Sequence, residues 1–173
     1  MHTRRSFTNT TFTKRVDHDG GRHRPARAMK EPAVCGDCKA IYLNRRWTKS
    51  SSALEVKHIS APQMRRKTIC PACVQKKTGE PRGFVFIDGR FFLRHRKEVE
   101  QLLRNEALRA GEDNPLARIL RFKCADGHKL TVSTTTEHLA QRLGHALEKA
   151  FGGVVDYNFS HENKLARVSW RRE

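Results

Sequence analysis

An α+β fold in two parts is what this sequence predicts: a small module stapled by cysteines, then a larger domain of mixed strands and helices. Three observations lead there. Two Cys-x-x-Cys pairs stand in the first half of the chain, separated by residues 39–69. Two segments of the second half repeat apolar residues at helical spacing. Short runs around those segments alternate apolar and polar residues, the period of a half-buried strand.

The pairs are Cys35-x-x-Cys38 and Cys70-x-x-Cys73. This spacing makes a knuckle, a tight turn that aims two thiolates at one metal. Gly36 and Pro71 lie inside the knuckles, and such turns accept both residue types. Four sulfurs close a tetrahedral site and leave no open position for water or substrate, so the expected Zn²⁺ is structural. A redox dithiol needs a single pair in a βαβ setting. A disulfide framework calls for a secreted chain, and no signal peptide is visible. Iron–sulfur ligation also uses four cysteines and is an alternative that spacing leaves open. The 31 residues from 39 to 69 exceed the usual ribbon separation of about 15–20. They read as an inserted arm. His58 lies in that arm, but the second cysteine pair leaves it unneeded as a ligand. Cys124 stands alone in an apolar stretch and reads as a buried core thiol.

The 173 residues carry a formal net charge of +17, unevenly placed. Residues 1–82 hold 19 Lys and Arg against 6 Asp and Glu; residues 83–173 hold 16 against 12. A strongly basic half joined to a nearly balanced one points to a polyanion, with nucleic acid first. The basic half lacks the long amphipathic apolar face that a membrane surface would need. No apolar run approaches the roughly 18 residues of a membrane span.

Three regions follow from composition. Residues 1–30 are rich in Arg, Thr, Gly and His, with few large apolar groups to offset the entropy of ordering; they read as a disordered basic arm. Residues 31–82 form the metal module with its basic insertion. The insertion holds Lys39, Arg45, Arg46, Lys49, Lys57, Arg65, Arg66 and Lys67, with Glu55 its one acid. Tyr42 and Trp47 flank Arg45 and Arg46, so the aromatics are candidates to stack on unpaired bases while the guanidinium groups bind phosphate. The alternative is that both rings pack on the knuckles as a miniature core. The expected nucleic-acid contacts are Tyr42, Arg45, Arg46, Trp47, Lys49, Lys57, Arg65, Arg66 and Lys67.

Residues 83–173 carry the larger core. GFVFIDGRFFL is either a hairpin turning at Asp88-Gly89 or a strand leading into a helix capped by Asp88. A helix then runs to about Ala110 on the stripe Val99, Leu102, Leu103, Ala107 and Ala110, with Gly111 and Asn114-Pro115 as its stop. Strands follow over about 117–124 and 129–134, joined through residues 125–128. Thr134-x-x-Glu137 reads as a capping box for a helix whose stripe is Leu139, Leu143, Ala146, Leu147, Ala150 and Phe151, ended by Gly152. A last hairpin alternates Val155, Tyr157 and Phe159 with Ala166, Val168 and Trp170. The order β-α-β-β-α-β with an extra strand is that of a ferredoxin-like domain. One face of its sheet would carry helices, and the other could meet RNA or a partner. The full expectation is a four-cysteine zinc-ribbon module with a basic arm, followed by that domain.

Catalytic motifs are not found. The sequence has no G-x-x-x-x-G-K-[ST], H-E-x-x-H or G-x-S-x-G. Helix capping explains the Thr134–Thr136 run more simply than a nucleophile does. His95, His138, His145 and His161 are scattered among Arg and Glu as solvated or phosphate-facing groups.

The CGDC…CPAC module resembles the N-terminal zinc-binding region of the eukaryotic and archaeal large-ribosomal-subunit export adaptor family. Together with NPLARI and TTTEHLAQRLGHALEKAFGG…WRR, it also resembles a group of small bacterial zinc-ribbon proteins over most of residues 31–172. The resemblance implies contact with the ribosome or rRNA and carries over Cys35, Cys38, Cys70 and Cys73 as zinc ligands. The expected function is therefore a non-enzymatic, cytoplasmic zinc protein that binds rRNA in a ribosomal particle, with a ribosomal protein as a further partner and no membrane. It would act as an assembly, quality-control or hibernation-type factor. A zinc-ribbon DNA-binding regulator and a redox-sensing zinc-thiolate protein are the rival readings.

Overall fold

The computed structural model describes residues 29–49, 67–125, 129–160 and 165–173. Most of the expected basic N-terminal arm, the middle of the insertion with His58, residues 126–128, and residues 161–164 with His161 lie outside these residues. Two sheets organise the rest. The first contains β1 (Ala33–Cys35), β2 (Ile41–Leu43), β3 (Arg46–Thr48) and β4 (Lys67–Thr68), in the order β3-β2-β1-β4. Helix α1 (Pro71–Thr78) follows directly. The second sheet contains β5 (Gly83–Asp88), β6 (Ile119–Ala125), β7 (Lys129–Thr134), β8 (Val154–Ser160) and β9 (Leu165–Arg171), in the order β6-β7-β5-β9-β8. Helices α2 (Arg90–Asp113) and α3 (Glu137–Phe151) connect its strands.

Alternation fixes which sheet face is covered. Val85 and Ile87 of β5, Leu130 and Val132 of β7, and Val168 and Trp170 of β9 are buried and point to one face. There they meet Phe92, Val99 and Leu103 of α2 and Leu139, Leu143 and Leu147 of α3 in one core. Burying each such side chain contributes about 1.5–3 kcal/mol before entropy is counted. Helix α3 buries Leu139, Leu143 and Leu147 of its expected stripe, together with Ala140 and Gly144, while Ala150 is exposed. Helix α2 is longer and bends at His95, whose backbone (φ −116°, ψ 25°) leaves the helical region.

Strand order departs from the ferredoxin-like expectation in the second half. Strand β7 lies between β5 and β6, antiparallel to both, which makes β5-α2-β6 a split βαβ unit. The last hairpin then places β9, not β8, beside β5, and the two run parallel. The extra strand is thus inserted within the sheet. Burial gives the reason: Ala166, Val168 and Trp170 of β9 are all buried and demand a central position, whereas Val154 of β8 is 72% exposed and suits an edge.

Three helix-end assignments and the burial of one thiol need correction. Asp88 does not cap α2: its Oδ1 accepts from the N–H of Gly89 at 2.8 Å, and Gly89 is the cap residue. Gly89 sits at φ 111°, where a Cβ would lie 2.0 Å from the Arg172 carbonyl oxygen, so the turn admits only glycine. Gly111 does not stop α2, which runs on to Asp113 and is capped by Asn114, the other expected stop. Thr136, not Thr134, caps α3, its hydroxyl accepting from the Leu139 N–H at 3.2 Å. The Thr134 hydroxyl donates to the Thr136 carbonyl instead. Cys124 is exposed, not buried: it stands near the end of edge strand β6, where no further strand flanks it.

Close packing of α3 on β5 passes through Gly83. A Cβ there would stand 2.5 Å from Thr134 Oγ1 and 2.6 Å from the Ala140 Cβ. Gly83→Ala should therefore lower stability by about 1–3 kcal/mol, as overpacking does, seen as an earlier urea midpoint. An unchanged midpoint would show that the contact relaxes freely.

Candidate metal centre

Parallel pairing of β1 with β4 brings the two cysteine pairs together, through Val34 opposite Lys67 and Cys35 opposite Thr68. Cys35 ends β1, and the chain turns back at once. The Lys39 N–H donates to the Cys35 carbonyl at 3.0 Å, and the Cys35 N–H donates to the Ala40 carbonyl at 2.8 Å. Lys39 closes this turn at φ 64°. The Gly36 N–H donates to the Thr68 carbonyl at 2.8 Å and ties the first knuckle to the second. Cys70 precedes α1, Pro71 opens the helix where its missing N–H costs nothing, and Cys73 lies in the first turn. Gly79 ends the helix in the left-handed region at φ 71°.

The four Sγ atoms all lie within 4.8 Å of one another. Cys38 Sγ and Cys70 Sγ are 3.6 Å apart, far beyond a disulfide bond and close to the edge of about 3.8 Å that a tetrahedron of sulfurs 2.3 Å from a central ion would have. Cys35, Cys70 and Cys73 are buried and Cys38 is half-buried. The Cys70 N–H points at Cys35 Sγ at 3.3 Å, an orientation that favours a thiolate there. Donor set, spacing and burial fit a metal ion held by four thiolates.

Crowding sets the electrostatics. A hydrogen bond with Cys70 pulls the Cys38 thiol down to about 4, and the same bond pushes Cys70 far up. Burial pushes Cys73 up to about 11. These groups cannot all ionise together without a cation. A divalent ion bound to four thiolates would still leave a double negative charge. Arg118 answers that charge. Its Nη1 lies 3.6 Å from Cys73 Sγ. Burial pushes the Arg118 guanidinium down, but the hydrogen bond and charge of Cys38, with the charges of Cys70 and Cys73, outweigh it and raise it.

Arg118 belongs to the NPLARI segment that joins α2 to β6. Asn114 shapes the turn, its Oδ1 accepting from the Leu116 N–H at 3.0 Å and its carbonyl from the Ala117 N–H at 2.9 Å. Leu116 is then buried in the small core of the metal module, beside Tyr42, Trp47 and the cysteines. Gln75 of α1 donates to the Thr135 carbonyl at 3.0 Å, and the Thr135 hydroxyl accepts from the Arg118 N–H at 2.8 Å. One turn thus fastens the centre to the larger domain. No local signal in the sequence marks this role for Arg118, because Arg118 and the cysteines are distant in the chain.

The expected nucleic-acid contacts separate into groups. Trp47 and Tyr42 are 1% and 7% exposed, with ring centroids 5.3 Å apart, so both rings form the miniature core and not a stacking surface. Arg45 and Arg46 are exposed at the tip of the β2–β3 hairpin. Asn44 and Arg45 take positive φ values of 51° and 60°, the geometry of a type I′ turn. The Glu31 carboxylate accepts from their N–H groups at 2.7 and 2.9 Å and steadies the tip. Lys49 pairs with Glu112 of α2 and is a tie between the two parts. Lys67 is exposed on β4. Lys57, Arg65 and Arg66 lie outside the described residues. Among the described residues, a groove of about 1050 Å³ runs between module and domain, with Lys39, Lys49, Arg104, Arg118 and Arg121 in its lining.

Arg118→Ala should weaken metal binding by about tenfold, as loss of an outer-shell partner does. Competition against a chromophoric chelator measures this, and an unchanged affinity would reduce Arg118 to a packing role. No protein-family model, curated protein or solved structure matches this chain, so the character of the centre rests on its four sulfurs and the arginine beside them.

Proposed function

We propose that this chain is a non-enzymatic zinc protein that binds rRNA on a ribosomal particle. Cys35, Cys38, Cys70 and Cys73 hold Zn²⁺, and the exposed hairpin arginines grip phosphate. The observation that carries the reading is the placement of Arg45 and Arg46 at a braced hairpin tip of the module whose base the four cysteines close. The formal net charge of +17 and the cationic lining of the neighbouring groove support a polyanionic partner. Sulfurs within 4.8 Å of one another suit ligands around a single ion, and four thiolates in a tetrahedron suit zinc. A closed donor set leaves no place for substrate, which supports a structural ion.

Sedimentation of the tagged protein from its native lysate, with sequencing of the RNA recovered, tests this reading. Co-migration with one ribosomal particle and enrichment of a discrete rRNA site is the expected result. A position at the top of the gradient, with DNA or no nucleic acid recovered, would refute it. Affinity for the recovered RNA should fall steeply with salt. Arg45→Ala with Arg46→Ala should weaken binding and reduce the slope of log affinity against log salt by about two, roughly one for each lost phosphate contact. An unchanged slope would take the hairpin tip out of the interface.

A further inference from the structure

Among the described residues, one face of the five-stranded sheet has no helix packed upon it. Both large helices pack on the opposite face, against Val85, Ile87, Val132 and Val168. On the open face, the central strand β5 presents Phe84 and Phe86, two residues apart. Their rings are stacked, with centroids 5.9 Å apart and planes at 19°. Phe86 is 38% exposed. Phe84 is half-buried, so this aromatic pair on a central strand is partly open to water, a surface that a partner would cover.

Strand register shows what surrounds the rings. Opposite Phe84 stand Ser133 of β7 and Arg167 of β9; opposite Phe86 stand Thr131 and Ser169. The immediate neighbours are thus mostly small hydroxyl side chains, which leave the rings open from above. One strand further out on β6, Arg121 pairs with Ser133 and Lys123 with Thr131. Arg121, Lys123 and Arg167 are exposed. Lys129 and Arg171 lie further along the same face, but they are tied to Asp88 and Glu173. Asp156 of β8 is the acid opposite Ser169. The face is therefore a pair of central aromatic rings with hydroxyl neighbours, cations at Arg167 and along the β6 edge, and Val154, Asp156 and Asn158 along the β8 edge.

We propose that this face is a base-stacking platform for single-stranded RNA, with Phe84 and Phe86 as the stacking rings and Arg121, Lys123 and Arg167 as phosphate contacts. Successive bases stack on aromatic rings while cations follow the backbone, and every base offers a π-face. The charge selects this occupant over two others. A second copy of the chain would bring the same cations face to face with themselves. The segment before residue 29 holds Arg4, Arg5, Lys14, Arg15, Arg22, Arg24 and Arg27 against Asp17 and Asp19, and it would meet those cations with like charge. The platform rests on the reading of this protein as an RNA binder. It adds a second contact surface besides the hairpin tip.

Fluorescence anisotropy of labelled oligo-uridine with the full, metal-loaded chain tests the platform. Phe84→Ala with Phe86→Ala should weaken binding by tenfold or more, as loss of stacking rings does. Phe84→Tyr with Phe86→Tyr keeps both π-faces and should bind within about threefold of the parent. Equal binding by the alanine variant and the parent would overturn the platform. So would equal losses in the alanine and tyrosine variants, or a dimeric parent that the alanine pair turns into a monomer. Co-sedimentation with ribosomal particles separates the two readings. Loss of oligo-uridine binding in the alanine pair, in a protein that never enters ribosomal fractions, would uphold the platform and sink the ribosomal role. Ribosomal co-sedimentation with oligo-uridine binding indifferent to the rings would do the reverse.

Discussion

Four sulfur atoms within 4.8 Å of one another, three of them buried, are the constraint on which the first part of this protein depends. Ionised, they repel; protonated, they fill the centre of a module with hydrogen-bonding groups too weak to hold it. A bound cation would resolve the conflict, and its binding free energy would become folding free energy. The module has little else. Its strands are two or three residues long, and its core is Ala33, Ala40, Tyr42, Trp47 and Ala72 around the cysteines, with Leu116 lent by the larger domain. A core this small does not stand alone without a staple.

The same centre sets the geometry beyond the module. Leu116 enters its core and Arg118 lies against its sulfurs, so the turn between α2 and β6 is shared by both parts. The cationic groove lies beside this joint, and the Lys49–Glu112 ion pair spans it. The hairpin that carries Arg45 and Arg46 rises from β2, which pairs with the cysteine-bearing β1. Loss of a bound ion would therefore reach the hairpin tip and the contact between the two sheets together. The larger domain has its own core and depends on the centre far less.

Legibility in the sequence followed the reach of each signal. The cysteine pairs were readable because ligand spacing is local, and the α3 stripe and last hairpin because periodicity is local. Caps were less so: three consecutive threonines offer three candidate caps, and only the path into α3 selects Thr136. Trp47 between two arginines and a lysine looked like a stacking residue. Alternation along β3 turns it inward while Arg46 turns out, and that depends on pairing with β2. Cys124 sat in an apolar run, yet an edge strand leaves its end uncovered. Strand order was the least legible element, because no local pattern says that β9 will part β8 from β5. Arg118 and the Phe84–Phe86 pair emerged only when distant segments were placed together.

X-ray absorption at the zinc edge of the metal-loaded full-length protein tests the central claim most directly. A closed site predicts four sulfur neighbours at about 2.3 Å and no nitrogen or oxygen in the first shell. Fewer than four sulfurs, a light-atom ligand, or a protein that takes up no zinc would contradict the centre and the architecture built upon it.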